Sequence, residues 1–198
     1  RVKTARGRKL SSTRGLQRQL NDPYVREAQR LGYRSRAAFK LLQLDERFGL
    51  LRSGARIADL GCAPGGWSQV SAQRVGAKGR VIGVDLLEAE APPGATLLVG
   101  DIRDEATAEA VRAALDGSAD LVLSDMAASA TGHAGTDHLR TMALCEDAFA
   151  FAESVLATGG GFVCKTLKGG ADSDFLAALK KRFDKVRHAK PAASRSDS

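Results

Sequence analysis

Short runs of continuous apolar residues alternate along this chain with segments whose apolar positions recur every three or four residues. The runs are ARIADL (55–60), RVIGVDL (80–86), TLLVGD (96–101), ADLVLSD (119–125) and GFVCKTL (161–167), and each predicts a strand covered on both faces. KVRHAKP (185–191) predicts a last strand. Residues 67–75, 105–115, about 137–157 and 173–183 predict helices between them. Two further helices precede the first strand. Asp22-Pro23 supplies an N-cap and an N1 proline for YVREAQRL, which runs to Gly32. Ser35 is placed to cap RAAFKLLQLDERF, which Gly49 closes.

This alternation predicts an α/β fold, a doubly wound parallel sheet with right-handed crossovers, in a single domain over residues 22–198. Ligands of such sheets bind beyond the carboxyl ends of the strands. The residues expected there are Asp59 to Gly61, Asp85, Asp101, Asp125 and Lys165. Lys165 interrupts an apolar run, where a lysine is costly unless it is paired or stands at the open end of its strand.

Composition narrows the class. No stretch approaches the roughly 18 consecutive apolar residues of a membrane span, so no membrane partner is expected. Cys62, Cys145 and Cys164 form no CxxC pair and leave an odd count, which argues for a reducing compartment without a disulfide framework or zinc site. His133 and His138 flank a loop with no third ligand in step, so no metal is expected.

Charge divides sharply along the chain: net +10 over residues 1–40, −8 over 41–160 and +5 over 161–198. Positive charge gathered at both ends suggests a polyanion docking where the ends meet. Residues 1–21 read as a basic, flexible tail; its Arg/Ser-rich opening also resembles a transit peptide, which keeps a mitochondrial location as a lesser alternative to a cytoplasmic one.

The most informative stretch is DLGCAPGGWSQV (59–70), which follows the first strand. It lacks the G-x-G-x-x-G spacing of a dinucleotide fingerprint and has Trp67 where a P-loop needs lysine. The loop still aims helix N-terminal N–H groups at a ligand. Asp85 is placed to bond a ribose diol, and Asp101 to accept from the exocyclic amine of a purine. Singly, each reads as a turn or capping aspartate. Repeated at successive strand ends beside a glycine loop, they define a carboxylate-rich pocket without a phosphate-binding lysine. Such a pocket suits a cationic nucleoside, and S-adenosylmethionine is that molecule.

With SRAAFKL upstream and LSDMA and CKTLKGG downstream, DLGCAPGGWSQV resembles the FtsJ/RrmJ-type ribosomal RNA 2′-O-ribose methyltransferases over residues 22–198. The resemblance implies a class I S-adenosylmethionine-dependent methyltransferase (Rossmann-like) fold. It carries the family's cofactor residues onto Gly65, Trp67, Asp85, Asp101 and Asp125. Three members of the family's Lys-Asp-Lys-Glu catalytic set carry over onto Lys40, Asp125 and Lys165. The family's glutamate lies in a final strand after a Ser/Arg-rich turn like SRSDS, and no Glu follows Glu153, so that strand and its glutamate are expected beyond Ser198. The implied substrate is the A-loop uridine of 23S rRNA within the assembled 50S particle, and a monomer is expected.

Methyl transfer to a ribose hydroxyl needs alignment and a base, because the sulfonium already activates the methyl group. A lysine serves as base when burial and a neighbouring cation lower its pKa, which Lys165 beside Lys40 would supply while Asp125 orients it. The 126–136 loop, rich in small and polar residues, is a candidate lid. SDMA after strand four departs from the Asp/Asn-Pro-Pro-aromatic pattern of amino methyltransferases, and no Pro-Cys nucleophile appears. Two rivals stay open: a transfer RNA anticodon-loop 2′-O-methyltransferase with the same catalytic residues, and a non-catalytic RNA-binding assembly factor on this fold.

Overall fold

The computed structural model describes residues 10–167 and 171–198. Residues 1–9 of the basic tail, and 168–170 of the CKTLKGG motif, lie outside them. Five parallel strands, β1 (Arg56–Leu60), β2 (Arg80–Asp85), β3 (Ala95–Val99), β4 (Ala119–Ser124) and β5 (Leu156–Cys164), stand in the order β3-β2-β1-β4-β5. The chain winds outward from β1 to β3, returns to the other side of β1 with β4, and continues outward. The crevice between the two windings therefore opens above β1 and β4, where such sheets bind ligands.

Alternate residues of each strand face opposite layers. Ile57, Val81, Leu121 and Leu123 pack against α3 (Ala37–Phe48) and α4 (Gly66–Val75) through Leu41, Trp67 and Val70. Ala58, Leu60, Ile82, Val84 and Val122 meet α5 (Glu105–Leu115) and α6 (Ala134–Val155) through Val111, Leu115, Phe151 and Val155. Each such Leu or Val contributes about 1.5–3 kcal/mol on leaving water. A satellite cluster of Met142, Phe149, Phe175 and Leu179 seats α7 (Ser173–Arg182) beside β5.

α2 (Pro23–Leu31) begins as its sequence demands: the Asp22 carboxylate accepts from the Tyr24 N–H at 2.9 Å, and Gly32 closes it in the left-handed region at φ 78°. Ser35 does not cap α3. Arg36 holds the cap position in helical conformation with no side-chain cap, and the Ser35 hydroxyl is turned instead toward Gly66 at the head of α4.

Residues 185–191 form no strand. Their alternation is cationic rather than apolar, so neither face repays burial. The chain beyond them crosses to α3, where the Ala193 N–H donates to Gln43 Oε1 at 2.8 Å and its carbonyl accepts from Arg36 at 2.7 Å. Within the basic N-terminal segment, Leu10–Asn21 is helical (α1). α6 starts earlier than its periodicity suggests and passes directly into β5 at Leu156, so the Ala157–Gly160 stretch belongs to the strand.

Candidate active site

The β4–β5 ladder aligns Ser124 with Cys164, which sets the next residues, Asp125 and Lys165, side by side at the carboxyl edge. The Lys165 N–H donates to the Ser124 carbonyl at 2.9 Å, extending the pairing by one residue. The Cys145 thiol of α6 donates to the Lys165 carbonyl at 3.0 Å and fixes that backbone from below. From the opposite layer, α3 presents Lys40. Both ammonium groups converge on one oxygen: Asp125 Oδ1 lies 2.8 Å from Lys40 Nζ and 3.4 Å from Lys165 Nζ. The three side chains are only 13%, 18% and 19% exposed, for Lys40, Asp125 and Lys165 respectively.

Burial pulls the Lys40 pKa down from its ordinary value; the Asp125 carboxylate opposes this, and the Lys165 and Arg36 charges reinforce it. Lys40 also lies 5.7 Å from the centre of the Trp67 ring. Trp67 itself is buried, and its Nε1 donates to the Ala37 carbonyl at 2.7 Å. It is a strut between α3 and α4, with its indole turned into the core and not free to lie against a ligand.

The glycine loop turns where β1 ends. Gly61 sits at φ 74°, and a Cβ there would come within 2.6 Å of Met126 Cγ, so the loops after β1 and β4 touch. Gly65, at φ 114°, caps α4 in a conformation closed to residues with a Cβ. Asp85 holds the loop from the next strand: Oδ2 accepts from the Ala63 N–H and Oδ1 from the Leu87 N–H, both at 2.9 Å. An open cleft of about 620 Å³ borders the loop, lined by Arg34, Ala63, Pro64, Leu87, Glu88 and Glu90.

Asp101 stands farther out, and its carboxylate is gripped by Arg103 through Nη2 at 2.6 Å and Nε at 3.0 Å. That hydrogen bonding holds the Asp101 carboxyl below its usual range. The structure thus brings Lys40, Asp125, Lys165 and Trp67 into one cluster and sets Gly65 and Asp85 at the adjoining loop, with Asp101 at its outer margin.

Two features escaped the sequence reading. Asp59 is completely buried, bonded to Ser68 Oγ at 2.7 Å, and burial lifts its carboxyl to about 7, assisted by the nearby Asp125 and Asp85 charges. The same surroundings push the Cys62 thiol to about 12, chiefly by burial. The Arg103 grip on Asp101 is the other. A polar residue at each of the two ends of DLGCAPGGWS was the available signal for the Asp59–Ser68 pair.

Residues 33–198 match the family model of the FtsJ-like methyltransferases. The chain belongs to that family. A ribosomal RNA large subunit methyltransferase E from Maricaulis maris is 61% identical over 198 residues, covering 100% of this chain and 70% of that one. Its counterpart from Zymomonas mobilis is 59% identical over 198 residues, covering 100% and 89% respectively. Among solved structures, a ribosomal RNA methyltransferase from Plasmodium falciparum aligns with a TM-score of 0.73 at 30% identity, covering 80% of this chain and 91% of that one.

An FtsJ-like methyltransferase of this class I type takes its methyl group from S-adenosylmethionine. The loop residues fit such a donor. Gly61 and Gly65 leave backbone where a Cβ would stand, Asp85 bonds the loop backbone at Ala63, and the bordering cleft carries Glu88 and Glu90 with no lysine among its lining residues.

Proposed function

We propose that this methyltransferase acts on the ribose 2′-OH of large-subunit ribosomal RNA, at the A-loop uridine of 23S rRNA, on the assembled 50S particle and as a monomer. The bacterial relatives, named for large-subunit ribosomal RNA, favour a cytoplasmic enzyme. The observation that carries the reading is the shared oxygen of Asp125. Two lysines drawn to one carboxylate at the open edge of the sheet make a proton-handling group next to a methyl-donor loop.

When bound, S-adenosylmethionine supplies an electrophilic methyl group. Gly65 and the loop backbone would hold its amino-acid end, Asp85 its ribose diol, and Asp101 its base, with Trp67 bracing the loop from behind. Lys165, at the strand end, takes the proton from the 2′-OH. Lys40 meets the same carboxylate from α3, and Asp125 holds the Lys165 amine in line. For Asp101 to receive the adenine amine, one of its lone pairs must be released by Arg103.

The test is to incubate full-length protein with methyl-labelled donor and ribosomal particles, then map the labelled ribose. Label in the A-loop is expected, and Lys165→Ala should abolish it while donor binding stays within about twofold of wild type. Label in transfer RNA instead, or substantial turnover by Lys165→Ala, would refute the target or the base assignment respectively.

A further inference from the structure

The two cationic ends of the chain meet on one helix. Arg36, one turn before Lys40, lies 2.6 Å from the Asp22 carboxylate on the N-terminal side and donates to the Ala193 carbonyl at 2.7 Å on the C-terminal side. The Arg36–Asp22 pair is mostly buried, at 13% and 12% exposure, with the guanidinium 5.3 Å from the centre of the Tyr24 ring. Gln43, one turn beyond Lys40, takes the Ala193 N–H at 2.8 Å, and Ala193 is fully buried. Arg36, Lys40 and Gln43 thus share one face of α3 at i, i+4 and i+7.

What these anchors carry is strongly positive. Residues 1–32 hold nine Lys/Arg against two Asp/Glu, and residues 185–198 hold four against one. Arg18 on α1, Arg26 on α2, and Lys185, Arg187 and Arg195 at the other end are exposed, and among the described residues none is ion-paired. The family match begins at residue 33, so α1 and α2 precede the part of the fold that the family model matches.

Like charges brought together repel, and two solvated tails would drift apart. Here a buried ion pair and two backbone hydrogen bonds hold them together beside the lysine cluster. We propose that α1–α2 and the 185–195 segment are the two jaws of a phosphate clamp that seats RNA over Lys40, with Arg36 as the pin joining them. The proposal rests on the RNA substrate argued above. Phosphates between the jaws would relieve the repulsion and release counterions, which makes binding steeply salt-dependent.

Charge reversal on each jaw tests this: Arg18→Glu with Arg26→Glu, and separately Arg187→Glu with Arg195→Glu. None of these residues belongs to the catalytic or donor-binding groups. Full-length protein is titrated with a large-subunit ribosomal RNA fragment across a salt series, and KM and kcat are measured on ribosomal particles. Each pair should weaken RNA binding by roughly tenfold or more and flatten the log–log salt slope by about 1 to 2, since each lost phosphate contact removes about 0.7–0.9. KM should rise while kcat and donor affinity hold within about twofold.

If either pair keeps the wild-type slope and KM, the two-jaw clamp is wrong. Should a reversal variant lose donor binding through misfolding, the Arg→Gln pairs remove the same contacts and should flatten the slope by the same amount, about 1 to 2, with a smaller loss of affinity. Wild-type protein that binds RNA with this slope but transfers no methyl group overturns the enzymatic reading and leaves the clamp standing. Salt-independent binding overturns the clamp alone.

Discussion

Asp125→Asn preserves shape while removing the one charge that two lysines share. At an effective dielectric near 20, the attractions at 2.8 and 3.4 Å correspond to about 6 and about 5 kcal/mol. The whole sum is not lost, because a lysine left unpaired can shed its proton. From an ordinary value of 10.5, deprotonation at pH 7 costs about 5 kcal/mol, which caps the penalty for Lys40. Breaking a buried pair typically costs 3–5 kcal/mol, so about 3–5 kcal/mol is expected at pH 7.

The pH dependence is diagnostic. Burial already holds Lys40 below 10.5, so just below that value the unfolded chain binds more protons and stability rises with pH. Without Asp125 the Lys40 pKa falls further, and this window extends to lower pH. The variant's deficit should therefore be largest near neutrality and shrink as pH approaches 10. Urea unfolding of both proteins from pH 7 to 10 measures it, with methyl transfer assayed in parallel and expected to drop about 100-fold or more. A deficit under about 1 kcal/mol, or one that stays level across this range, would refute the shared-carboxylate account.

Gly61→Ala places a Cβ 2.6 Å from Met126 Cγ at φ 74°, combining about 1–2 kcal/mol of backbone strain with about 1–3 of overpacking. Thermal or urea unfolding should show a loss of about 2–5 kcal/mol, and a loss below about 0.5 would mean the β1 and β4 loops do not touch. For Asp59, burial lifts the folded pKa from 3.8 to about 7, so its contribution is complete below the unfolded value and lost as pH rises through this window. Asp59→Asn should abolish that slope and be the more stable protein at pH 8, by about 4 kcal/mol at most; an unaltered slope between pH 4 and 7 would contradict the burial argument. Trp67→Phe leaves the Ala37 carbonyl without its indole donor and should cost about 1–3 kcal/mol in unfolding assays; a neutral effect would show that the strut is dispensable.

How far the chain's order was readable depended on what each residue's neighbours in sequence could disclose. Parallel strands buried on both faces are continuous apolar runs, as β1, β2 and β4 are. β3 and β5 read the same way, yet as edge strands they are only partly buried, and Lys165 stood out because it broke one such run. The 185–191 segment carried strand-like length without apolar faces, and the chain just beyond it found its backbone partners, at Ala193, in the Arg36 and Gln43 side chains more than 140 positions away. Lys40 is unremarkable within an amphipathic helix. Only the family resemblance pointed to it, because its partners Asp125 and Trp67 come from other elements. Asp101 and Arg103 are near in sequence, yet their fork depends on rotamers that spacing does not reveal.

Trp67 is the chain's sole tryptophan, so its emission comes from one known place in the molecule. The indole is shielded from water, anchored through its N–H to α3, and 5.7 Å below a cationic amine. Its fluorescence is thus a built-in gauge of the joint between the helix bearing Lys40 and the helix that opens from the donor loop. Loss of charge on Lys40, or loosening of that joint, would register as a change in intensity or wavelength without any label. Titrating pH, donor or RNA against this single signal follows the site directly in the unmodified protein.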